Sequence, residues 1–219
     1  MRHPIVTVDG PAGAGKSTVA RRLAQRLGYG FVPSGAIYRA LAWRVAAGVS
    51  VKDALATTTI ELRGAPEAQR VVVNGEDVTE ALRAPQMSGL TSALSQDPEV
   101  RAYADRLQRQ FAAGGPVVVE GRDAGTVVFP RADCKFYLDA ALPVRAARRL
   151  ADRQARGEAA KLAAVQEALA ARDEADQHRK VAPLARHEDA IYIDSSALAI
   201  DEVVDLMAKE AERACCTGS

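Results

Sequence analysis

The run Gly10-Pro11-Ala12-Gly13-Ala14-Gly15-Lys16-Ser17 satisfies G-x-x-x-x-G-K-[ST] at every fixed position, with Thr18 following. Each residue type has a task there. Glycines let backbone N–H groups turn inward around phosphate oxygens without a Cβ clash, and a helix starting at the loop adds partial positive charge. Lys16 is expected to reach the β- and γ-phosphates, and the Ser17 hydroxyl to ligate Mg²⁺. A nucleoside triphosphate cradle is therefore expected over Gly10, Pro11, Ala12, Gly13, Ala14, Gly15, Lys16, Ser17 and Thr18. The motif implies nucleotide binding without saying what becomes of the γ-phosphate.

The rest of the chain narrows that question. No N/T-K-x-D guanine reader is present, and Val117-Val118-Val119-Glu120 ends in one acid, not the paired acids of motor-type ATPases. Instead, arginines recur in short polar motifs: Ser34 to Arg39, Glu120-Gly121-Arg122-Asp123, the series Arg145, Arg148, Arg149, Arg153 and Arg156, and Arg172 to Arg179. A dianionic acceptor needs several guanidiniums, because each forks onto two phosphate oxygens. Any one of these arginines alone would read as a solvated surface charge. Beside a phosphate cradle, together, they favour an anionic ligand. His3, His178 and His187 have no metal-ligand spacing, and Trp43, Leu41 and Val45 read as helix packing.

The elements that must position these residues follow from periodicity. Pro4 to Val8 reads as a buried strand running into the cradle, Lys16 to Leu27 as a helix stopped by Gly28, and Phe31-Val32 as a second strand. Ser34 is placed to cap a helix over Ala36 to Ala47. Val71 to Val78, with Asn74-Gly75 at its centre, is a hairpin signal inside a different stretch, 60–83. Helices are expected at about 86–95 and 98–113, the second started by Asp97-Pro98. Strands follow at Val117 to Val119, Lys135 to Leu138 and Ala190 to Ile193, with helices at about 143–156, 160–174 and 198–213. Such alternation predicts an α/β P-loop fold: a mostly parallel sheet flanked by helices, plus a small strand-containing insert and a helical lid. Within one unit over 1–219, the core is expected at 1–59 and 114–144, the acceptor-binding insert at 60–113, the lid at 145–160, and the core's completion at 161–219.

Composition sets the outer bounds. The 219 residues suffice for one α/β domain, and 29 Lys and Arg against 28 Asp and Glu leave a net charge of +1. That balance gives no global case for nucleic acid or membrane, so any anion site must be built locally. No apolar stretch reaches bilayer length, and Met1 to Val8 lacks a signal-peptide core. Cys134, Cys215 and Cys216 form no metal spacing or disulfide framework, which suits a reducing cytoplasm; Cys215-Cys216 reads as a frayed terminus.

Asp9 to Thr18, Ser34 to Arg39, Glu120 to Pro130, and Arg172 through Arg179 to Leu184 occur in the order found in bacterial cytidylate kinases. The chain resembles that family from about Pro4 to Met207, and the run Gly121 to Pro130 is specific to it among nucleoside monophosphate kinases. The resemblance implies ATP-dependent phosphorylation of CMP and dCMP to CDP and dCDP, supplying pyrimidine nucleotides, with ATP as donor, Mg²⁺ as cofactor and a cytoplasmic monomer as the working form. By it, Ser34 and Arg122 match cytosine contacts with Asp123 beside them, and Ser92 and Arg101 match further contacts from the insert. Arg39 matches a ligand of the CMP phosphate, while Arg172, Asp176 and Arg179 match the set holding the ribose and phosphate end. Arg145 to Arg156 falls at the family's mobile lid; Arg148, Arg149 and Arg153, with Lys16 and Asp123, form the candidate catalytic set. One departure is a shortened stretch from Val49 to Ala65. Glu120 stands where some members have Asp, and either a magnesium-bound water or helix capping would account for it. A kinase for UMP, AMP or shikimate, or an ATP-driven switch protein, are the alternative readings.

Overall fold

Val6, Val8, Val118, Val119, Phe136 and Leu138 are almost wholly buried, and the strands that carry them form the centre of the molecule. The computed structural model describes residues 3–84 and 87–216. In chain order the elements are β1 (Ile5–Asp9), α1 (Lys16–Leu27), β2 (Gly30–Pro33), α2 (Ser34–Ala46), α3 (Val51–Thr57), β3 (Ile60–Arg63), β4 (Arg70–Val73), β5 (Glu76–Asp77), α4 (Met87–Leu94), α5 (Pro98–Ala113), β6 (Val117–Glu120), β7 (Cys134–Asp139), α6 (Leu142–Gln154), α7 (Leu162–His178), β8 (Ile191–Asp194) and α8 (Ile200–Cys216). A π-helical turn over Ala124–Val128 separates β6 from β7.

Five strands make a sheet in the order β2-β6-β1-β7-β8, every pair parallel. Crossover helices cover both faces, which is why the strands read as unbroken apolar runs and not as alternations. On one face, Val6, Val8, Val118, Phe136 and Leu138 pack with Leu23 of α1 and Met207 of α8. On the other, Val117 and Val119 pack with Ile37 and Leu41 of α2, Val100 and Ala104 of α5, and Val71 and Val73 of the small sheet. From β1 the chain crosses toward β2 on one side, whereas β7 and β8 extend the sheet on the other. Their carboxyl ends border the switch point where open α/β sheets leave a crevice. Asp9, Glu120 and the loops after them lie there.

The second sheet, β3-β4-β5, is antiparallel. Its hairpin has Asn74 at φ 49° and Gly75 at φ 86°, the two positive values that a type I′ turn requires. Neither β3 nor α3 is foreseen by the sequence reading of Val49 to Ala65. Ser50 caps α3 by accepting from the Asp53 N–H at 3.1 Å. At α5, Asp97 accepts from the Glu99 N–H at 2.8 Å, with Pro98 in the first helical position as expected.

Several boundaries differ. Helix α2 begins at Ser34 with Pro33 as its flanking residue, so the Ser34 side chain makes no cap and is left for the crevice. Helix α7 runs on to His178 where the reading stops it at 174, and α6 ends at Gln154, earlier than 156. Helix α8 continues to Cys216, so Cys215 packs partly against the core instead of fraying. Gln86, at the start of the expected helix 86–95, lies outside the described residues.

Gly10 is where fold and site meet. Its φ is 143°, and a Cβ there would stand 2.0 Å from the Leu138 carbonyl oxygen on β7. Gly10→Ala is expected to destabilise the protein by about 2 kcal/mol or more, through strain and overpacking together. Urea unfolding measures it; an unchanged midpoint would mean that the loop shifts away without penalty.

Candidate active site

Asp9 ends β1 buried, and its carboxylate accepts from the Ala124 N–H at 2.9 Å and the Gly125 N–H at 2.7 Å. That joint ties the start of the cradle to the turn after β6. Burial pushes the Asp9 carboxyl up to about 6 despite the two donors. Gly13 and Gly15 then take φ of 79° and 88°, conformations that open the loop's N–H groups at the start of α1.

Lys16 is buried, with Nζ donating to the Pro11 carbonyl at 2.7 Å and lying 3.9 Å from Glu120 Oε1. Desolvation, with the positive charge of Arg122 next, lowers its ammonium to about 7. Ser17 Oγ donates to Glu120 Oε2 at 3.1 Å, which places a hydroxyl and a carboxylate side by side below the lysine.

Helices α6 and α7 hold the loop from outside. Arg145 Nη1 donates to the Ala12 carbonyl at 3.0 Å and pairs with Asp173, whose Oδ1 lies 3.3 Å from the Ala12 N–H. Arg148 bonds both the Ser195 hydroxyl and its carbonyl, at 3.1 and 2.6 Å.

A cleft of about 620 Å³ opens over this cradle. One part of its wall comes from Ser17, Thr18, Ser195, Leu198 and Ile200; another comes from Ser34, Arg39, Gln69, Thr79, Ser92 and Ser95. Arg122, Asp123, Arg149, Arg172, Asp176 and Arg179 line it as well. The arginines are held by shared carboxylates. Arg122 Nε donates to Asp176 Oδ2 at 3.0 Å, and Arg172 Nε lies 3.9 Å from the same oxygen. Asp123 is bound by Arg101 on one oxygen and approached by Arg179 at 3.3 Å on the other.

Pairing leaves a surplus of positive charge. Arg172 is lowered to about 10 by burial and then by Arg122, with Arg39 and Arg149 adding to it. Arg39 is depressed by burial and by Arg149 in turn. Among the described residues, Arg172 Nε is a buried side-chain nitrogen without a hydrogen-bond partner, 3.9 Å from Asp176. A buried cationic donor left unbonded among other guanidiniums in the cleft fits a second anion beside the phosphate loop.

The structure thus gathers Lys16, Ser17, Ser34, Arg39, Ser92, Arg122, Asp123, Arg148, Arg149, Arg172, Asp176 and Arg179 around one cleft. Arg101 is 4% exposed and stands behind Asp123 as its partner, away from the wall. Arg153 is turned to Glu158 at 2.9 Å, while Arg156, paired to the same carboxylate at 2.8 Å, lines the cleft. The sequence reading assigns no role to Asp9, Asp173, Ser195 or Gln69. Asp9, next to the glycine loop, and Asp173, inside the Arg172 to Arg179 run, have local signals; Ser195 and Gln69 reach the site across long separations. Among the described residues, no group of three or more His, Cys, Asp or Glu is placed to hold a metal, and no helix is long and apolar enough to cross a membrane.

A family model described as cytidylate kinase matches residues 6–213. A cytidylate kinase of Symbiobacterium thermophilum is 43% identical over 220 residues, covering 97% of both chains. One from Geobacter sulfurreducens is 46% identical over 97% of this chain and 96% of its own. A Synechocystis bifunctional pantoate ligase/cytidylate kinase is 45% identical over 93% of this chain, which spans 42% of that longer protein. Among solved structures, a Thermus thermophilus protein aligns at TM-score 0.50 and 22% identity, over 99% of this chain and 98% of its own. An uncharacterized Eubacterium ventriosum protein aligns at 0.54 and 10%, over 95% and 98%. At those identities the structural likeness concerns the fold alone.

The depressed Lys16 has a measurable consequence. With its folded value near 7 against an ordinary 10.5, Lys16 is largely neutral at pH 8, and a bound polyphosphate would restore its charge. The same depression means that the unfolded chain holds more protons between those values, so this group's contribution to stability rises with pH across that window. Binding of ADP at pH 8 is expected to take up a proton, read by calorimetry in buffers of different ionisation enthalpy. Lys16→Met should abolish the uptake; equal uptake by both proteins would place the titrating group elsewhere.

Proposed function

The chain belongs to the cytidylate kinase family and phosphorylates CMP with ATP as donor; on that premise we propose that this cleft carries out the transfer in line, with dCMP as a second acceptor. The observation that carries the reading is the surplus of half-buried guanidiniums that line the cleft over the cradle. ATP phosphates fit the loop of Gly10 to Thr18, and the acceptor phosphate fits between Arg39 and Arg172. Residues 60–113 would form the acceptor-binding part and 145–160 the lid, with Arg145 and Arg148 at its fixed end.

Transfer between two polyanions is chiefly a matter of positioning and charge neutralisation. No general base is needed, since a phosphate monoester with a second pKa of about 6 is already mostly a dianion at pH 7. Lys16 and the loop N–H groups would stabilise the equatorial oxygens of the transferring group. Arg148, Arg149 and Arg156 already line the cleft, Arg148 while holding the Ser195 segment, and Arg153 would have to leave Glu158 to join them. The hydroxyl of Ser17 beside Glu120 suits a hard cation, so Mg²⁺ arriving with ATP would be held there and would offset charge on the β- and γ-phosphates. Closure of the lid would exclude water as a competing acceptor. Three cysteines without a disulfide framework fit a reducing cytoplasm, and a monomer is the working form proposed there.

Base choice would rest on an acceptor aimed at the cytosine 4-amine, which uracil replaces with a carbonyl. Asp123 and Ser34 both line the cleft at the end of the sheet, and Arg101 and Arg179 fix the Asp123 carboxylate in orientation. Arg122 has donors only and would serve the ring carbonyl or nitrogen.

Three measurements test the reading. ADP release is expected with CMP and dCMP well above UMP, AMP or GMP, and little release in the absence of acceptor; acceptor-independent turnover would favour a switch protein. Lys16→Ala should lower kcat by about two orders of magnitude or more, and near-normal turnover would remove the cradle from the mechanism. Asp123→Asn is expected to narrow the CMP/UMP ratio by about tenfold, the equivalent of ~1.4 kcal/mol. If both acceptors decline together with the ratio intact, Asp123 serves only to hold Arg101 and Arg179.

A further inference from the structure

We infer that Asp173 and Arg145 form a positioning pair that sets the donor loop in register with the acceptor-side helix. Four observations converge on this pair. Asp173 accepts from the Ala12 N–H at 3.3 Å, and Arg145 donates to the Ala12 carbonyl at 3.0 Å, so the two side chains grip both polar groups of one residue in the phosphate loop. The carboxylate and guanidinium also bind each other, with side chains only 13% and 9% exposed. Arg145 is anchored in turn by donating to the Ala140 carbonyl at 2.8 Å. The methyl group of Ala12 is itself buried among Ala146, Val165 and Leu169, and a Cβ on Gly13 would lie 3.2 Å from Arg145 Cβ. The tip of the loop is thus built into the hairpin of α6 and α7.

What makes the pair more than a structural tie is its neighbourhood on α7. Arg172 precedes Asp173 and Asp176 follows one turn later, and both line the cleft, where Asp176 holds Arg122. One helix therefore carries acceptor-side groups on one face and the grip on the donor loop next to them. A shift of the loop relative to α7 would move the two reactants relative to one another without removing any group that binds either. In-line transfer is sensitive to such misplacement: about 1 Å can lower the rate by about two orders of magnitude.

The inference rests on the proposed use of the loop as the donor site, and the experiment separates the two. Steady-state kinetics on the full chain with CMP and MgATP would compare the wild type, Asp173→Asn, Arg145→Lys and the double variant, with Tm recorded for each. Asp173→Asn keeps the shape but leaves a buried guanidinium without its counter-charge. Arg145→Lys keeps the charge and loses the fork that reaches Asp173 and Ala12 together. Both are expected to lower kcat at saturating substrates by about 10- to 100-fold, with KM for CMP within about twofold of wild type. The double variant should be no worse than the poorer single one, as for groups acting as a unit. Should Asp173→Asn fail to fold, Arg145→Lys alone decides. Folded variants with lowered Tm but wild-type kcat, or a double variant whose losses multiply, would overturn the pairing role. A wild type lacking CMP-dependent ADP release would instead overturn the underlying donor-site reading.

Discussion

A cleft built for two polyanions must hold many like charges close together before either ligand arrives. Lys16, Arg39, Arg122, Arg149 and Arg172 face the same space, and burial disfavours the charged forms of Lys16, Arg39 and Arg172. The structure meets this by giving the cations carboxylates that are themselves fixed: Glu120 near Lys16, Asp176 between Arg122 and Arg172, Asp123 between Arg101 and Arg179. Each carboxylate keeps its arginines apart and aimed. None supplies enough charge to neutralise the set, so the remaining imbalance is available to ligand phosphates.

That arrangement needs a rigid frame, and the parallel sheet provides it. The carboxyl ends of β1 and β6 put Asp9 and Glu120 on neighbouring strands, with Val8 opposite Glu120 in register. Asp9 spends its carboxylate on the backbone of the Ala124–Val128 turn, so the turn that follows Arg122 and Asp123 is pinned to the strand that starts the phosphate loop. A Cβ at Gly121 would stand 2.9 Å from Ser34 Oγ and 3.3 Å from Asp9 Oδ1, so a larger residue there would push the Ser34 hydroxyl out of its place in the crevice. Positions that contact no ligand in the proposed mechanism thereby decide where the ligand-facing ones sit.

The arginine series of α6 and the residues just after it divides by partner. The first turns of α6 are occupied with the loop and with Ser195, through Arg145 and Arg148, whereas Arg149 and Arg156 face the cleft and Arg153 is engaged with Glu158. The start of α6 is thereby fixed to the phosphate loop, while the charges near its end are left to the cleft and to Glu158. Five arginines at helical spacing look equivalent in a one-dimensional pattern; their partners lie on other elements and make them different.

Local chemistry was legible before any coordinates. The glycine–lysine loop, the Asn74-Gly75 turn, the Asp97-Pro98 helix start and the apolar strands each follow from the steric and hydrogen-bonding habits of adjacent residues, and each stands where that logic puts it. The family motifs likewise lie in runs of neighbours, so they survive reading in order. What the tertiary structure decided is pairing. That Arg122 meets Asp176 and not its neighbour Asp123, that Arg101 supports Asp123 from behind, and that Asp173 joins Arg145 beneath Ala12 are choices among many arginines and carboxylates. Charge attraction is non-specific in sequence separation, so it becomes a particular bond only once packing has brought two side chains together and excluded water from between them.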